Sequence, residues 1–316
     1  MNGPQILVVR LGAMGDVIHA LPAVASLKEG LPHASISWIV EPRWAALLVG
    51  NPCLDQVILL DRTRLRSSLR SLRSEHFDSV IDFQGLIKSA VIASLARAER
   101  IYGFDRRAAR ESAASWFYSH RMSPRSNHAV DRNLELAASA GATSLRKHFP
   151  LPSGFAEGAL PEQPFVLANP LAGWGAKQWP LEYFAQLGER LQRETGMTLV
   201  LNASHPIEVP NTLSHDSTLA GLIYATRRAS AIIGVDSGPL HLAAALGKPG
   251  VAIYGPTDPD RNGPYGDSIT VLRSPNAITT YKRTPEPAAS MREITPDMVF
   301  AALEKLVPWE SRTQRH

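Results

Sequence analysis

The sequence predicts an α/β protein made of two Rossmann-like halves. Apolar runs that suit buried strands alternate with helix-like segments, which is typical of a mostly parallel sheet covered on both faces. The alternation restarts after a proline- and glycine-rich segment at 151–164, which indicates a linker. The length of 316 residues also suits two domains of about 150 residues each. We therefore place the domains at 1–155 and 156–316.

Each predicted element follows from a local pattern. In the first half, apolar runs bounded by turn residues predict strands at 5–10, 35–40, 56–60 and 79–83, with helices at 16–29, 65–75 and 86–98. In the second half, the same criteria predict strands at 165–170, 197–203, 229–236 and 250–255, with helices at 181–196 and 239–247. Thr295 as a cap with Pro296 in the first turn predicts a closing helix of about three turns.

The composition excludes several classes of protein. With 44% hydrophobic and 20% charged residues, the chain is an ordinary globular one without repeats. The longest apolar stretches, such as 89–96, fall short of the roughly 20 residues that cross a bilayer. Residues 1–20 lack the pattern of an export signal, and Cys53 is the only cysteine, so a disulfide framework is excluded. We expect a cytoplasmic protein.

The stretch AIIGVDSGPLHLAAALG at 231–247 predicts an anion site. A buried strand leads into Asp236, Ser237 and Gly238, and Pro239 opens a helix. Free N–H groups and the helix dipole favour a phosphate at such a terminus, and the Ser237 hydroxyl can donate a further hydrogen bond. The alternative is that Ser237 only caps the helix and Asp236 only ends a strand.

A lysine favours the anion site over that alternative. Lys177 lies in NPLAGWGAKQWP at 169–180, a loop that follows a predicted strand. A loop at the carboxyl edge of the same sheet brings its ammonium near the same anion, although a solvated surface lysine remains the alternative. His241 is either a further ligand or a plain helix-surface residue. The ten histidines form no HxxxH or HExxH motif, so no metal site is predicted.

The stretch RLGAMGDVIHALPA at 10–23 combines a glycine turn with a helix start that carries an anion. Asp16 takes the place that a phosphate would occupy, and the G-K-[ST] ending of a P-loop kinase is absent. The turn also lacks the G-x-G-x-x-G pattern of a dehydrogenase. Asp16 is either an ordinary cap or a carboxylate that projects toward a substrate as a general base.

Arginines predict a second, cationic surface. The segment DRTRLRSSLRSLRS at 61–74 predicts a helix with neighbouring apolar and cationic faces. The cationic face contains Arg62, Arg66, Arg70 and Arg73, and the further arginines that extend it are Arg106, Arg107, Arg110, Arg121, Arg125 and Arg132. Such a face suits an acceptor with phosphates and carboxylates, while a solvated face is the alternative. Nucleic acid is disfavoured because interleaved aromatics and known binding signatures are absent.

These motifs together resemble glycosyltransferase family 9, in particular the lipopolysaccharide heptosyltransferase I type. The motifs are MGDVIHALPA, VIDFQGLIKSA, YGFDRRAARESAASWFY, HAVDRNLELAASAG, KQWP, VDSGPLHLAAALGKP and YGPTDPDRNGPYG. The resemblance implies a GT-B fold with two parallel sheets facing a central cleft. It also implies an ADP-heptose co-substrate on the C-terminal domain and a Kdo–lipid A acceptor on the N-terminal one, with no other cofactor.

Carried over by position, Asp16 matches the catalytic aspartate and Lys177 the lysine that contacts the diphosphate. The donor-binding segment is Asp236, Ser237, Gly238, Pro239, Leu240 and His241, with Ser237 where the type commonly has threonine. Ala172 and Gly173 stand where hydroxyl-bearing residues help to hold the donor. Compared with the family, the segment 202–217 lacks a helix after its strand, and Glu208 is the candidate for the acidic residue that holds the ribose.

The implied reaction is an inverting, metal-independent transfer of heptose. Asp16 removes the proton of the acceptor hydroxyl, while Lys177, Ser237 and the helix terminus stabilise the departing ADP. The lipid acceptor implies transient work at the inner face of the cytoplasmic membrane. The alternatives are another nucleotide-sugar transferase or epimerase on the same scaffold, and a non-catalytic nucleotide-sugar-binding protein.

Overall fold

The chain divides into two compact units, Met1–Pro152 and Ser153–His316. The computed structural model describes residues 3–61, 63, 65–280 and 282–307. Each unit contains one six-stranded sheet, and the paired strands in both sheets run parallel. The predicted α/β class with two Rossmann-like halves is confirmed.

The N-terminal unit alternates strands with helices. Its strands are β1 (Gln5–Val9), β2 (Ser35–Val40), β3 (Gln56–Leu59), β4 (Ser79–Asp82), β5 (Arg100–Phe104) and β6 (His120–Met122). The connections contain α1 (Met14–Gly30), α2 (Leu65–Ser74), α3 (Ile87–Leu95), α4 (Ala129–Ser139) and 3₁₀ helices at Pro42–Leu47 and Ser112–Phe117. The strand order is β3-β2-β1-β4-β5-β6. The order of the strands therefore reverses between β1 and β4, which is the topological switch point of this sheet.

The C-terminal unit repeats this arrangement. Its strands are β7 (Phe165–Asn169), β8 (Thr198–Ala203), β9 (Thr212–Asp216), β10 (Ala231–Val235), β11 (Gly250–Tyr254) and β12 (Ile269–Arg273). Its helices are α5 (Leu181–Glu194), α6 (Leu219–Arg228), α7 (Gly238–Ala245), α8 (Pro259–Asn262), α9 (Ala289–Arg292), α10 (Pro296–Glu304) and a 3₁₀ helix at Gly175–Lys177. The order β12-β11-β10-β7-β8-β9 places the change of direction between β7 and β10.

The central strands are buried on both faces. Every residue of β7, β10 and β11 is buried, which explains why these segments are nearly continuous apolar runs in the sequence. In the N-terminal unit, Leu7, Val8 and Val9 of β1 are fully buried in the same way. The sheets therefore form rigid centres from which the polar loops at the strand ends project.

The connection between β8 and β9 confirms that a helix is missing from the segment 202–217. Residues 204–211 join these two parallel strands without a helix, although such crossovers usually take a dozen or more residues. Helix α5 packs against both strands, and a Cβ atom on its Gly188 would lie 2.4 Å from the Asn211 carbonyl oxygen. The glycine at 188 therefore lets α5 pack closely against the residue that leads into β9.

Candidate active site

The C-terminal unit places polar side chains at the switch point of its sheet. Asn169 ends β7 and pairs with Gly234 of β10, and Asp236 and Ser237 follow directly after β10. Open α/β sheets bind ligands outside the carboxyl ends of their strands at this point. The anion site predicted from the sequence therefore lies where the fold favours a ligand.

Lys177 contacts Asp236 at this edge. Its ammonium lies 2.5 Å from Asp236 Oδ2, and the two side chains are only 15% and 16% exposed. The ammonium also lies 4.2 Å from the centre of the Trp174 ring. The loop packs tightly against the backbone of Pro285. A Cβ atom on Gly175 would lie 1.6 Å from the Pro285 carbonyl oxygen, so only glycine fits there. A lysine that is this enclosed and paired is not a solvated surface residue.

The start of α7 matches a phosphate-binding terminus. Ser237 precedes the first turn, and Gly238 and Pro239 open it. The Ser237 side chain makes no capping hydrogen bond, and its buried Oγ has no hydrogen-bond partner in the described part of the chain. Leu240 is fully buried, with its side chain over Gly234. The hydroxyl at this terminus is thus available to a ligand and does not cap the helix.

Further buried polar atoms without partners lie at the ends of β7 and β11 and in the loops that follow these two strands. Among the residues that the structure describes, Asn169 Nδ2, Trp174 Nε1, Tyr254 Oη and Thr257 Oγ1 form no hydrogen bond. Tyr254 ends β11, and burial together with the charge of Asp236 raises the pKa of its hydroxyl, which keeps the proton on it. Since buried polar groups are nearly always paired, this cluster indicates a site whose hydrogen bonds are completed from outside the chain.

A relay of side chains fixes the Asn169 amide. Ser217 Oγ donates to Asn202 Oδ1 over 3.3 Å, and Asn202 Nδ2 donates to Asn169 Oδ1 over 3.3 Å. Because the Asn169 oxygen already accepts from β8, its nitrogen is left to donate elsewhere. The buried amide, only 2% exposed, is therefore oriented as a hydrogen-bond donor.

The N-terminal unit places Asp16 at the corresponding edge of its own sheet. Asp16 lies in the first turn of α1, and its Oδ1 accepts from Arg10 and from Arg110 at 2.7 Å each. Among the described residues, the Oδ2 atom accepts only a 3.3 Å hydrogen bond from the Ala13 N–H. The Arg10 side chain is 5% exposed, whereas Arg110 is 42% exposed. One guanidinium is therefore fixed and the other is open to exchange.

The two guanidinium groups control the charge of Asp16. Burial alone raises the pKa of this carboxyl, but Arg10 and Arg110 outweigh burial and lower the pKa to about 2. Asp16 is consequently an anion throughout the physiological pH range.

The loop after β4 holds Arg10 in place. Arg10 donates to the Phe83 carbonyl oxygen, and the Leu11 N–H donates to Gln84 Oε1 over 2.8 Å. The fully buried Asp82 accepts from the Gln84 N–H over 2.8 Å and from the hydroxyl of Tyr118 over 2.8 Å. The loops that follow β1 and β4 are thereby locked together beneath Asp16.

A cationic cavity of about 1110 Å³ lies elsewhere in the N-terminal unit. Its arginines are Arg106, Arg107, Arg121, Arg125 and Arg132, and its only carboxylate among the described residues is that of Asp105. Asp105 accepts hydrogen bonds from Ser123 and from the N–H groups of Arg107 and Ala108. The cavity therefore presents a strong excess of positive charge.

Comparison with known proteins identifies the family. The sequence matches the profile of glycosyltransferase family 9 (heptosyltransferase) over residues 65–289. The chain belongs to this family. Lipopolysaccharide heptosyltransferase 1 of Pseudomonas aeruginosa is 31% identical over 85% of this chain and 84% of the relative. The enzyme of the same name from Escherichia coli strain K12 is 30% identical over 86% of this chain and 94% of the relative.

Solved heptosyltransferases share the fold. The structure of E. coli heptosyltransferase WaaC with ADP matches with a TM-score of 0.79 and 26% identity, over 96% of this chain and 100% of that one. WaaC with ADP-2-deoxy-2-fluoro heptose matches with a TM-score of 0.77 and 26% identity, over 95% and 99% of the two chains. The predicted GT-B fold and the predicted enzyme class, a glycosyltransferase of the heptosyltransferase family, are confirmed. The comparisons do not favour the alternative functions.

The structure of this heptosyltransferase brings some of the predicted donor residues together and leaves others apart. Lys177, Asp236 and Ser237 share one site, and His241 is buried on α7. Ala172 packs against the core, whereas a Cβ atom on Gly173 would meet nothing within 4 Å. Glu208 is exposed between β8 and β9 and contacts neither Lys177 nor Asp236. Its predicted role at the ribose stays a prediction.

The structure likewise brings only some of the predicted acceptor arginines close to Asp16 or to the cationic cavity. Arg110 contacts Asp16, and Arg106 and Arg107 line the cationic cavity. Arg70 and Arg73 are exposed on α2 and form no ion pair with Asp16. Arg62 and the side chain of Arg66 lie outside the described residues.

Two absences hold for the described residues only. No group of three or more His, Cys, Asp or Glu side chains among them is arranged to hold a metal ion. No helix among them has both the length and the apolar character that a bilayer span requires.

Sequence analysis missed several residues of both sites. Arg10, Asn169 and Tyr254 each lie at or directly after the carboxyl end of a strand, and this position is the sequence signal that could have found them. Arg283, which lies 5.1 Å from the Trp174 ring, comes from a loop with no such signal.

Proposed function

We propose that this enzyme transfers heptose from ADP-heptose to a Kdo–lipid A type acceptor in the biosynthesis of the lipopolysaccharide inner core. The observation that carries the proposal is the cluster of buried polar atoms without partners beside Lys177 and Ser237. The WaaC structures with ADP and with an ADP-heptose analogue supply a ligand of the matching chemistry. The curated relatives at about 30% identity support the lipopolysaccharide pathway.

The C-terminal unit binds the ADP part of the donor in this proposal. One N–H of the Lys177 ammonium is engaged by Asp236, and the remaining ones are free to donate to diphosphate oxygens. Ser237 and the first N–H groups of α7 add neutral donors and a favourable dipole. Asn169 Nδ2 is a further donor in the same cluster. These groups stabilise the charge that grows on ADP as its bond to the sugar breaks.

Asp16 is the general base of the proposed reaction. Its Oδ2 accepts one long hydrogen bond from the part of the chain that the structure describes, so it is the oxygen open to an acceptor hydroxyl. With a pKa of about 2, Asp16 binds a proton weakly while both arginines are paired to it. An acceptor with phosphates or carboxylates competes for the exposed Arg110 guanidinium. Loss of that pair raises the pKa of Asp16 and makes it a stronger base when the acceptor is bound.

The proposed chemistry is a single displacement. The acceptor hydroxyl oxygen forms a bond to the anomeric carbon while the bond between that carbon and the phosphate oxygen breaks. The hydroxyl proton moves to Asp16, and the electron pair of the broken bond leaves with ADP. Attack opposite the leaving group inverts the anomeric centre. Lys177 and the α7 terminus supply the positive charge that a metal ion would otherwise supply.

The acceptor is anionic in this proposal. Arg106 and Arg107 bind its phosphates or carboxylates, since guanidinium groups match these oxyanions in geometry and charge. Arg70 and Arg73, which are exposed on α2, are further arginines of the same unit that an anionic acceptor can contact. The acceptor carries a lipid, so the enzyme works at the inner face of the cytoplasmic membrane.

Incubation with ADP-heptose tests the proposal. ADP release should require a Kdo-bearing acceptor, NMR of the product should show an inverted anomeric centre, and a chelator should leave the rate unchanged. ADP release without any acceptor, retention at the anomeric centre, or loss of activity with the chelator would each contradict the corresponding part of the proposal.

A further inference from the structure

An apolar patch lies beside the cationic cavity of the N-terminal unit. We propose that this patch, made of Trp116, Phe117, Ile87 and Val91, docks the enzyme on a bilayer of anionic phospholipid. The inference rests on the proposed function, because a lipid-borne acceptor has to be reached at a membrane surface. It adds the surface by which the enzyme meets the membrane.

The patch comes from two elements that pack together. Trp116 and Phe117 end the 3₁₀ helix Ser112–Phe117 and are 70% and 38% exposed. Ile87 and Val91 lie one turn apart on α3 and are 43% and 39% exposed.

The two elements are joined by small buried side chains. Ala90 of α3 and Ala114 of the 3₁₀ helix belong to one core cluster and are fully buried. The Ile87 N–H also donates to Glu111 at the start of the 3₁₀ helix over 2.6 Å. The exposed apolar residues are therefore held on a fixed scaffold and do not lie on a loose loop.

The adjoining charge identifies the partner. Trp116 lines the same cavity as five arginines, against the single carboxylate of Asp105. In the described part of the chain, Arg121 forms no ion pair, and its Nε–H donates to the Tyr118 carbonyl oxygen. Arg125 interacts electrostatically with Glu135, whose carboxylate also accepts from the Arg125 backbone N–H. Tryptophan favours the boundary between headgroups and acyl chains, and arginines near the surface are attracted to anionic lipid. A second copy of the chain fits less well, because it would bring two cationic cavities together.

Vesicle binding by the full-length protein tests the inference. Sedimentation should show much tighter binding to phosphatidylcholine vesicles that contain phosphatidylglycerol than to vesicles that lack it, and salt should weaken the binding. Trp116→Ser should weaken binding about tenfold through lost apolar burial. Arg125→Ser should weaken it about fivefold through lost charge.

Phe155→Ser is the matched control, since Phe155 is 74% exposed in the other unit and should leave vesicle binding unchanged. Thermal unfolding checks that each variant is folded. Turnover of an acceptor that keeps the Kdo and phosphate groups but lacks acyl chains should be the same in the wild type and in Val91→Ser, which changes the patch at a residue that does not line the cavity.

Two results would overturn the inference without touching the proposed function. The first is wild-type affinity of folded Trp116→Ser for the anionic vesicles while the wild-type enzyme turns over the acyl-free acceptor. The second is a dimer in light scattering that Trp116→Ser dissociates with no change in vesicle binding, which would make the patch an interface between copies. If the wild-type enzyme did not transfer heptose to the acyl-free acceptor, that result would instead contradict the proposed function.

Discussion

The two units have the same strand order, yet the charged groups at the switch points of their sheets are paired differently. Between β1 and β4, Asp16 Oδ1 is saturated by Arg10 and Arg110. Between β7 and β10, Asn169 and Ser237 carry buried polar atoms that no described residue pairs. The fold supplies the same kind of crevice twice. Arg10 Nε and Trp44 Nε1 in the N-terminal unit are likewise buried without a described partner, so the crevices differ in their charged pairs: two guanidinium groups hold a carboxylate in one, and one carboxylate holds an ammonium in the other.

The difference suggests a division of labour. A site with unpaired buried donors gains more from a bound diphosphate than it loses, because those donors have no other partner. Asp16 has one open oxygen, Oδ2, but its pKa stays low until the exposed Arg110 exchanges its partner. We therefore expect variants in the C-terminal unit to change donor binding, and variants at Asp16 to change turnover while donor binding stays intact.

The largest expected effect is on turnover when Asp16 is replaced. Asp16→Asn keeps an oxygen for the arginines but removes the base, so kcat should fall by roughly 10²–10⁴. The affinity for ADP, measured by calorimetry, should stay within about twofold of the wild type. Glu29→Gln, which removes an exposed carboxylate paired with Arg146, is the control and should leave both quantities unchanged. Loss of ADP binding in Asp16→Asn would assign Asp16 to the donor site and end the distinction.

A smaller loss is expected when Lys177 is replaced. Lys177→Met removes the cation nearest to the proposed diphosphate, so kcat should fall about a hundredfold and ADP binding should weaken as well. Lys282→Met removes an exposed lysine of the same unit and should behave like the wild type. Unchanged ADP affinity in Lys177→Met would show that the pair with Asp236 is purely structural.

The pH dependence of kcat/KM tests whether Arg110 lowers the pKa of Asp16. Asp16 has to be ionised to act as a base, so kcat/KM falls as the pH drops through its pKa. In the wild type this pKa is about 2, and no fall from Asp16 is expected between about pH 5 and 8. Arg110→Gln removes one guanidinium and raises the pKa, so the acid-side fall should begin at a higher pH than in the wild type.

Arg146→Gln, an exposed arginine paired with Glu29, is the control for this profile. Superimposable acid limbs for Arg110→Gln and the wild type would mean that Arg110 does not set the basicity of Asp16.

The smallest expected effect is a gain in affinity for ADP-heptose when Gly173 is replaced by serine. Gly173 faces open space, so Gly173→Ser fits without a clash and adds a hydroxyl near the proposed donor. ADP-heptose should bind about threefold more tightly to it than to the wild type. Gly173→Ala, which lacks the hydroxyl, should show no gain. An equal gain in both variants would point to backbone stiffening and not to a hydrogen bond.

The strands that could be predicted from the sequence are those that are buried in the middle of a sheet. Strands such as β1, β7 and β10 are covered on both faces and therefore read as apolar runs. The strands that sequence analysis missed include β6, β9 and β12, which lie at sheet edges and carry exposed or polar residues. An edge strand has a neighbour on one side only, so its sequence is weakly constrained.

Site residues could be predicted where they share one short sequence motif. They could not be predicted where the fold brings together residues that are far apart in the sequence. The helix start after β10 and the loop with Lys177 carry their own signals. The pair between Arg110 and Asp16 joins residues 94 positions apart, and the relay from Ser217 to Asn169 depends on the alignment of β7, β8 and β9. No local pattern encodes such contacts.

Two buried asparagines, one in each unit, allow the most direct test. Asn169 is 2% exposed with a nitrogen that no described residue pairs, while Asn133 is 5% exposed and donates to the His19 carbonyl oxygen over 3.0 Å. Calorimetric titration with ADP should show about tenfold weaker binding to Asn169→Ala and a change within about twofold for Asn133→Ala. Equal ADP affinity in the two folded variants would contradict the claim that the unpaired groups of the C-terminal unit bind the nucleotide.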